Sequence, residues 1–316
     1  MVWAAAAAGV ATLALRPRSG LIEPAPVEAR DYFSSDQIDR ARAYQRPQRA
    51  LGLAGASLDG AALALLVFRP PRRLRRALEQ AQRRPLAGAA GVGAGLSLGF
   101  GTLGLPLAAA RHRRAVKAGI SVQTWPAWLA DVAKASAIGA GLNAGALAGT
   151  MGLVRRFPTS WWAPASAGAT ALSSAFILLS PVLLDPVFNK FEQLPEGELR
   201  REVLALAERA GVQVGEVYRV DASKRTTAAN AYVTGLGRTK RVVLFDTLLN
   251  DFPPGEVRSV VAHELSHVRY RDVQRALAWL GIAAPASLHL VQRLTEWITG
   301  DGEPAPDMLP ALVLSV

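Results

Sequence analysis

Two imidazoles four residues apart, with a carboxylate beside the first, stand in the segment His263-Glu264-Leu265-Ser266-His267. On an α-helix, positions 263 and 267 lie one turn apart on the same face. Both ring nitrogens then reach one metal ion, and Glu264 is left to take a proton from the attacking water of a metal-assisted hydrolysis. With 4 His and 13 Glu in 316 residues, random placement yields this HExxH pattern about 0.002 times per chain, so a chance pair of structural histidines is the poorer explanation.

The motif needs a helix with one face to bury. Asp251-Phe252-Pro253-Pro254-Gly255-Glu256 supplies a capping candidate, prolines suited to a first turn and an early carboxylate, which predicts a helix starting near residue 254. Val257, Val261, Leu265 and Val268 recur at three- and four-residue intervals, an apolar stripe that leaves His263 and His267 facing elsewhere. Upstream, a helix is expected over about 198 to 210, with Leu204, Leu206 and Ala207 on its apolar side and Gly211 as its stop. Val217 to Val220, Ala229 to Thr234 and Arg241 to Phe245 read as short strands. Residues 185–275 thus form a small α+β unit of roughly 90 residues, too small for a large core of its own.

The rest of the chain is of another kind. The whole chain is half hydrophobic yet carries 36 Lys plus Arg against 25 acids, and outside that unit the charges are segregated from long apolar windows. That is the composition of a multispanning membrane protein. Apolar runs at 2–15, 51–68, 86–110, 135–154 and 161–184 form a five-span domain over 1–184, and runs at 276–292 and from 305 give one or two more within 276–316, six to seven in all. The first run offers 14 residues and the last 12, against about 20 needed to cross a bilayer, so both ends read as clipped. The basic residues flank apolar spans and are not interleaved with stacking aromatics, which favours lipid headgroups as their partners over nucleic acid. Without cysteine, a metal must be held by nitrogen and oxygen.

Several features inside the spans point elsewhere. Gly91, Gly95 and Gly99, and again Gly141, Gly145 and Gly149, recur every four residues, as ridges for close helix contact or as a by-product of an Ala/Gly-rich sequence. Gly99-Phe100-Gly101-Thr102-Leu103-Gly104 spells GxGxxG but has neither the preceding strand nor the later acidic residue of a dinucleotide loop. The first run has no positive charge before its apolar core and is followed by further spans, against a signal peptide. Asp59 is a carboxylate inside a span, costly unless it meets water or a partner, or lies nearer the helix end.

Asp185-Pro186-Val187-Phe188-Asn189-Lys190-Phe191, Asn230-Ala231-Tyr232-Val233-Thr234-Gly235 and the motif helix, in this order, resemble the M48 metallopeptidases, most closely the Ste24-type CAAX prenyl protease branch. The resemblance runs over nearly the whole chain and is most specific at residues 180–275. It implies a mainly α fold: a membrane helix bundle around an internal chamber, with a small zincin-like domain. It also implies a Zn2+-dependent endopeptidase in which His263 and His267 bind the metal, Glu264 deprotonates the attacking water, and Asn230, Ala231 and Tyr232 lie on the strand that receives a peptide or protein substrate. An exposed strand edge suits that last role, since main-chain hydrogen bonds hold an extended peptide. A bacterial plasma membrane with the site facing the cytoplasm follows from resemblance alone, because loops on the two sides hold twelve and ten basic residues.

One departure concerns the third ligand. The family takes it from a glutamate on a later helix, and here only Glu296, Asp301, Glu303 and Asp307 follow Asp272. Glu296 is 29 residues beyond His267 and, with the sixth-span residues helical at about 1.5 Å each, sits about 30 to 40 Å away. His289 fails by the same reasoning, and Asp272, five residues from His267, suits an outer partner of a ligand. A truncated copy of an enzyme, holding zinc poorly and inactive as it stands, is therefore the expectation. A non-catalytic membrane sensor or scaffold retaining the helix is the alternative of a different class, which the intact Glu264 disfavours. A transporter, suggested by the spans and Asp59, is the third.

Overall fold

In the computed structural model of the chain, residues 6, 9–10, 12–15, 27–69, 71–72, 76, 79–81, 83–235 and 240–299 are described. Half of the first apolar run, the whole of the last, and Asp301, Glu303 and Asp307 lie outside them. The chain divides into two compact units. One comprises Met1–Ala118, Val132–Ala165 and Ala286–Val316, the other Gly119–Asp131 and Ser166–Pro285.

Long helices dominate: α1 (Ser35–Phe68), α2 (Pro85–Lys117), α3 (Trp125–Arg156) and α4 (Trp162–Leu183). Among the described residues these four are long and apolar enough to cross a membrane. The first begins sixteen residues before the apolar run that announces it. Ser34 accepts a hydrogen bond from the Gln37 amide at 3.3 Å while the Gln37 side chain accepts from the Ser34 amide at 2.8 Å, a capping box that starts the helix in its charged half. The second starts with Pro85, whose missing N–H would have had no partner there.

Neither glycine ridge makes the expected contact. A Cβ placed on Gly91, Gly95, Gly99, Gly141, Gly145 or Gly149 would meet nothing within 4 Å. The close approach is at Gly93, where a Cβ would sit 2.5 Å from the Asn143 carbonyl oxygen. Gly93 lies two residues, about 200°, round the helix from Gly91, so the α2 ridge is on the wrong face.

In the second unit, α5 (Asp185–Phe188) leads into β1 (Phe191–Gln193), followed by α6 (Glu198–Arg209), β2 (Glu216–Val220), β3 (Ala231–Thr234), β4 (Arg241–Phe245), α7 (Asp246–Asp251) and α8 (Pro254–Arg269); α9 (Asp272–Thr299) starts in this unit and belongs to the first from Ala286 on. The sheet order is β1-β2-β4-β3, with β2 parallel to β4 and the two outer strands antiparallel to their neighbours. Val242, Val243 and Leu244 have no exposed surface, as a continuous apolar run in a central strand requires. One sheet face carries Val217, Ala231, Val242 and Leu244 against Val203 and Ala207 of α6 and Val257, Val261 and Leu265 of α8. Val220, Ala222 and Val243 pack with Phe191, Tyr218, Tyr232 and Phe245 in a separate cluster. Burying each valine contributes about 1.5 to 3 kcal/mol, so the sheet clamps α8 through three fully buried side chains. Gly211 ends α6 in the left-handed region at φ +69°, as its position predicts.

Two local expectations are corrected. Asp251 does not cap α8. It is the last residue of α7, and α8 begins at Pro254 after Pro253 with no side-chain cap. The strand expected from Ala229 starts at Ala231, since the preceding loop bonds elsewhere: Thr227 donates its amide to the Ile120 carbonyl, and Ala228 gives its amide to the Thr226 hydroxyl.

Candidate metal centre

Helix α8 buries Val257, Val261 and Leu265, spaced four apart, against the sheet. His263 follows Val261 by two residues, about 200° of rotation, which turns both His263 and His267 to the exposed side. Their Nε2 atoms stand 3.2 Å apart with the rings nearly perpendicular at 88°. Two zinc–nitrogen bonds of about 2.05 Å meeting near the tetrahedral angle need nitrogens about 3.3 Å apart, a spacing the pair matches. One carboxylate oxygen of half-buried Glu264 lies within 4.8 Å of these donors. Among the described residues this is the group of three such side chains that converges.

Asp272 fixes the orientation. The chain leaves α8 through Arg271 at φ +57°, a left-handed residue that turns it sharply into α9. That corner sets Asp272 Oδ2 2.7 Å from His267 Nδ1. A carboxylate there accepts a hydrogen bond from the Nδ1–H, the tautomer that leaves the Nε2 lone pair free. Asp272→Ala should weaken zinc 10- to 100-fold in a chelator competition, about what loss of an outer partner costs. The melting temperature should stay put, because the pair is half exposed.

Glu296 is not in the converging group. Its oxygens accept from Gln292 Nε2 at 2.8 Å and from Arg293 Nη1 at 2.7 Å near the end of α9. The His289 ring packs edge-on against Trp162 at 5.0 Å.

Beside the motif helix, β3 is the edge of the described sheet. Phe245 donates its amide to the Asn230 carbonyl at 3.0 Å, and Ala231 pairs with Leu244. By the alternation of an antiparallel ladder, Asn230, Tyr232 and Thr234 direct their main-chain groups to β4, while Ala231 and Val233 direct theirs to the open edge. The main-chain groups of Asn230 and Tyr232 are thus taken up by β4, and those of Ala231 and Val233 are free of the ladder. The Tyr232 hydroxyl donates to Asp185 Oδ2 at 2.8 Å. Burial, and then the Asp185 carboxylate, hold that hydroxyl well above its usual range, so it stays a donor.

A second brace has no signal in the sequence. Arg225 donates to both Asp131 oxygens, at 2.8 and 3.3 Å, and to Asn189 Oδ1 at 2.8 Å. Its carbonyl accepts from the Val122 amide at 3.1 Å. The loop entering β3 is thereby tied to segments up to about a hundred positions earlier.

Comparison with known proteins agrees with these elements. A family model described as the CAAX prenyl protease N-terminal domain, five membrane helices, matches residues 21–190, and the model of peptidase family M48 matches residues 193–309. An uncharacterized metalloprotease, YhfN of Bacillus subtilis, is 34% identical over 142 residues, 45% of this chain and 33% of that protein. CAAX prenyl protease 1 of Saccharomyces cerevisiae is 34% identical over 154 residues, 48% of this chain and 34% of the other. The matched stretch thus spans about a third of each relative's length. The crystal structure of S. mikatae Ste24p superposes with a TM-score of 0.75 at 22% identity, over 99% of this chain and 78% of that one. Fold and motif together define a membrane-helix protein with a peptidase-type helix-and-sheet unit. The chain belongs to peptidase family M48, in its Ste24-type branch.

Proposed function

We propose that this integral membrane protein is a zinc endopeptidase whose catalytic residues lie within 185–275, and that its substrates are membrane-associated proteins. The observation that carries this reading is the 3.2 Å separation of His263 and His267 Nε2, with Asp272 holding the second ring from behind. Zinc, when bound, supplies Lewis acidity at the peptide carbonyl. Glu264 takes the proton from the attacking water and passes it to the leaving amine. Three protein ligands are usual at a catalytic zinc, and two imidazoles converge here, so the third is a carboxylate outside the described residues. Without that carboxylate the chain holds zinc weakly and is inactive. The six to seven spans, the zincin-like reading of the domain, the bacterial membrane and the cytoplasmic face of the site belong to the same proposal.

The substrate lies as an added strand on β3, bonded to the main chain of Ala231 and Val233. The names of the relatives suggest CAAX-type processing, and damaged membrane proteins are the other substrate class. Fluorogenic peptides with and without a prenylated C-terminal cysteine, offered to the detergent-purified protein, distinguish the two. Chelator-sensitive cleavage of either supports the endopeptidase. A zinc-loaded protein that cleaves neither, nor an unfolded membrane-protein substrate, points to the sensor or scaffold.

Val233→Pro tests the strand edge. Proline removes an outward N–H and leaves the β4 ladder intact. KM should rise about fivefold to tenfold, the worth of one hydrogen bond of about 1 kcal/mol, with kcat nearly unchanged. Tyr232→Pro removes an inward N–H and should unfold the strand instead.

A further inference from the structure

Residues 221–230 carry the chain from β2 to β3 past the end of β4, since the strand order places β4 between the two. The strand they deliver is four residues long and, among the described residues, pairs with β4 alone. A short strand held by a ladder on one side opens locally at low cost unless something else ties it. The ties are in the connection, and they come from two sides. On the inner side, Asp246 accepts from the Ser223 amide at 2.9 Å, and the Thr247 hydroxyl donates to the Ala228 carbonyl at 2.9 Å. On the other side, the segment after α2 takes hold. The Thr227 amide donates to the Ile120 carbonyl at 3.0 Å and the Thr227 hydroxyl to the Gly119 carbonyl at 2.8 Å. Arg225 secures that side through its fork on Asp131, in the second turn of α3, and through its carbonyl, which accepts from the Val122 amide.

We propose that Arg225 is a positioning residue of the peptidase: through Asp131 it keeps the outward main-chain groups of Ala231 and Val233 in place for an incoming peptide strand. This rests on the reading of β3 as the strand that receives substrate. The pair is well shielded from water, with the two side chains 25% and 19% exposed, and the planar guanidinium meets both carboxylate oxygens while also reaching Asn189. A lysine in its place keeps the charge and loses the fork. Removing either half leaves a shielded charge without its partner, which loosens the connection that enters β3. The peptide must then order the strand as it binds, which weakens binding and raises KM. The turnover step is spared, because His263, Glu264 and His267 stand on α8, which Val257, Val261 and Leu265 keep on the sheet.

The test uses the whole protein in detergent and two readouts. Amide hydrogen exchange, read by mass spectrometry over residues 229–234 and 257–268, needs no substrate. Arg225→Lys and Asp131→Asn should each speed exchange at 229–234 about tenfold and leave 257–268 unchanged, which shows the fold intact. The double variant should match the single ones, as two residues acting as one pair do. Arg200→Lys, in the pair that joins α6 to Glu216 of β2, should leave exchange at 229–234 unchanged. In peptide cleavage, Arg225→Lys and Asp131→Asn should raise KM about fivefold, the worth of one hydrogen bond, with kcat and zinc content unchanged. Unchanged exchange at 229–234, an equal rise in Arg200→Lys, or a fall in kcat with KM unchanged would overturn the proposal. A parent protein that cleaves no peptide, with exchange responding as stated, would contradict the peptidase reading and leave the hold of Arg225 on β3 standing.

Discussion

Glu264→Gln should leave the metal content unchanged and lower the turnover of a cleaved peptide by about three orders of magnitude. The amide keeps the size of the side chain, and Val261 and Leu265, which anchor this turn of α8, are untouched. Only the capacity to accept a proton is lost. General acid–base catalysis contributes about 10²- to 10⁴-fold, and Glu264 serves both proton transfers, which lifts the loss above the lower end of that range. Zinc measured by mass spectrometry beside single-turnover rates checks both halves. A loss of zinc along with activity would recast Glu264 as a ligand, which its position within 4.8 Å of both imidazoles permits.

His263→Ala and His267→Ala should each remove zinc altogether. With two imidazoles converging, either substitution leaves one, and the loss must exceed the 10- to 100-fold cost of removing an outer partner such as Asp272. Folding should survive, since both rings lie on the exposed side of α8 while Val257, Val261 and Leu265 keep the helix on the sheet. Chelator competition gives the affinity and circular dichroism the helix. The order expected is both histidine variants far below Asp272→Ala, and Asp272→Ala below the parent. A histidine variant that kept stoichiometric zinc would move the metal away from this helix.

The legible parts of the fold were those written in local periodicity. Pro254 and the stripe Val257, Val261 and Leu265 announce α8, and the continuous apolar run Val242 to Phe245 announces the central strand. β1 has no signal of its own because it is three residues long with a charge at its centre, and takes its shape from pairing with β2 about 27 residues later. The first half of α1 was missed because hydropathy reports only the apolar half, whereas Ser34 and Gln37 start the helix. The glycine spacings leave two readings open because spacing alone does not say which helix face meets a neighbour; the open space at all six fits the by-product of an Ala/Gly-rich sequence, and Gly93 on the opposite face makes the close approach.

The site was legible in the same uneven way. Helix geometry turns the spacing of His263 and His267 into a 3.2 Å pair, and the nearness of Asp272 in sequence foreshadows its bond to His267. Which main-chain groups of β3 face the open edge depends on the register with β4, so Val233 was absent from the sequence reading. The bond between Tyr232 and Asp185 spans 47 positions and the Arg225 pair with Asp131 spans 94, distances over which no local pattern carries information.

The most direct measurement is zinc per chain, by mass spectrometry, on the product of the whole gene purified in detergent, beside its His263→Ala variant and with peptide cleavage assayed on both. About one zinc per chain, lost together with cleavage in the variant, is the expected result. Cleavage that persists in the zinc-free variant, or zinc that the variant retains, would contradict the assignment of the His263–His267 pair as the catalytic metal centre.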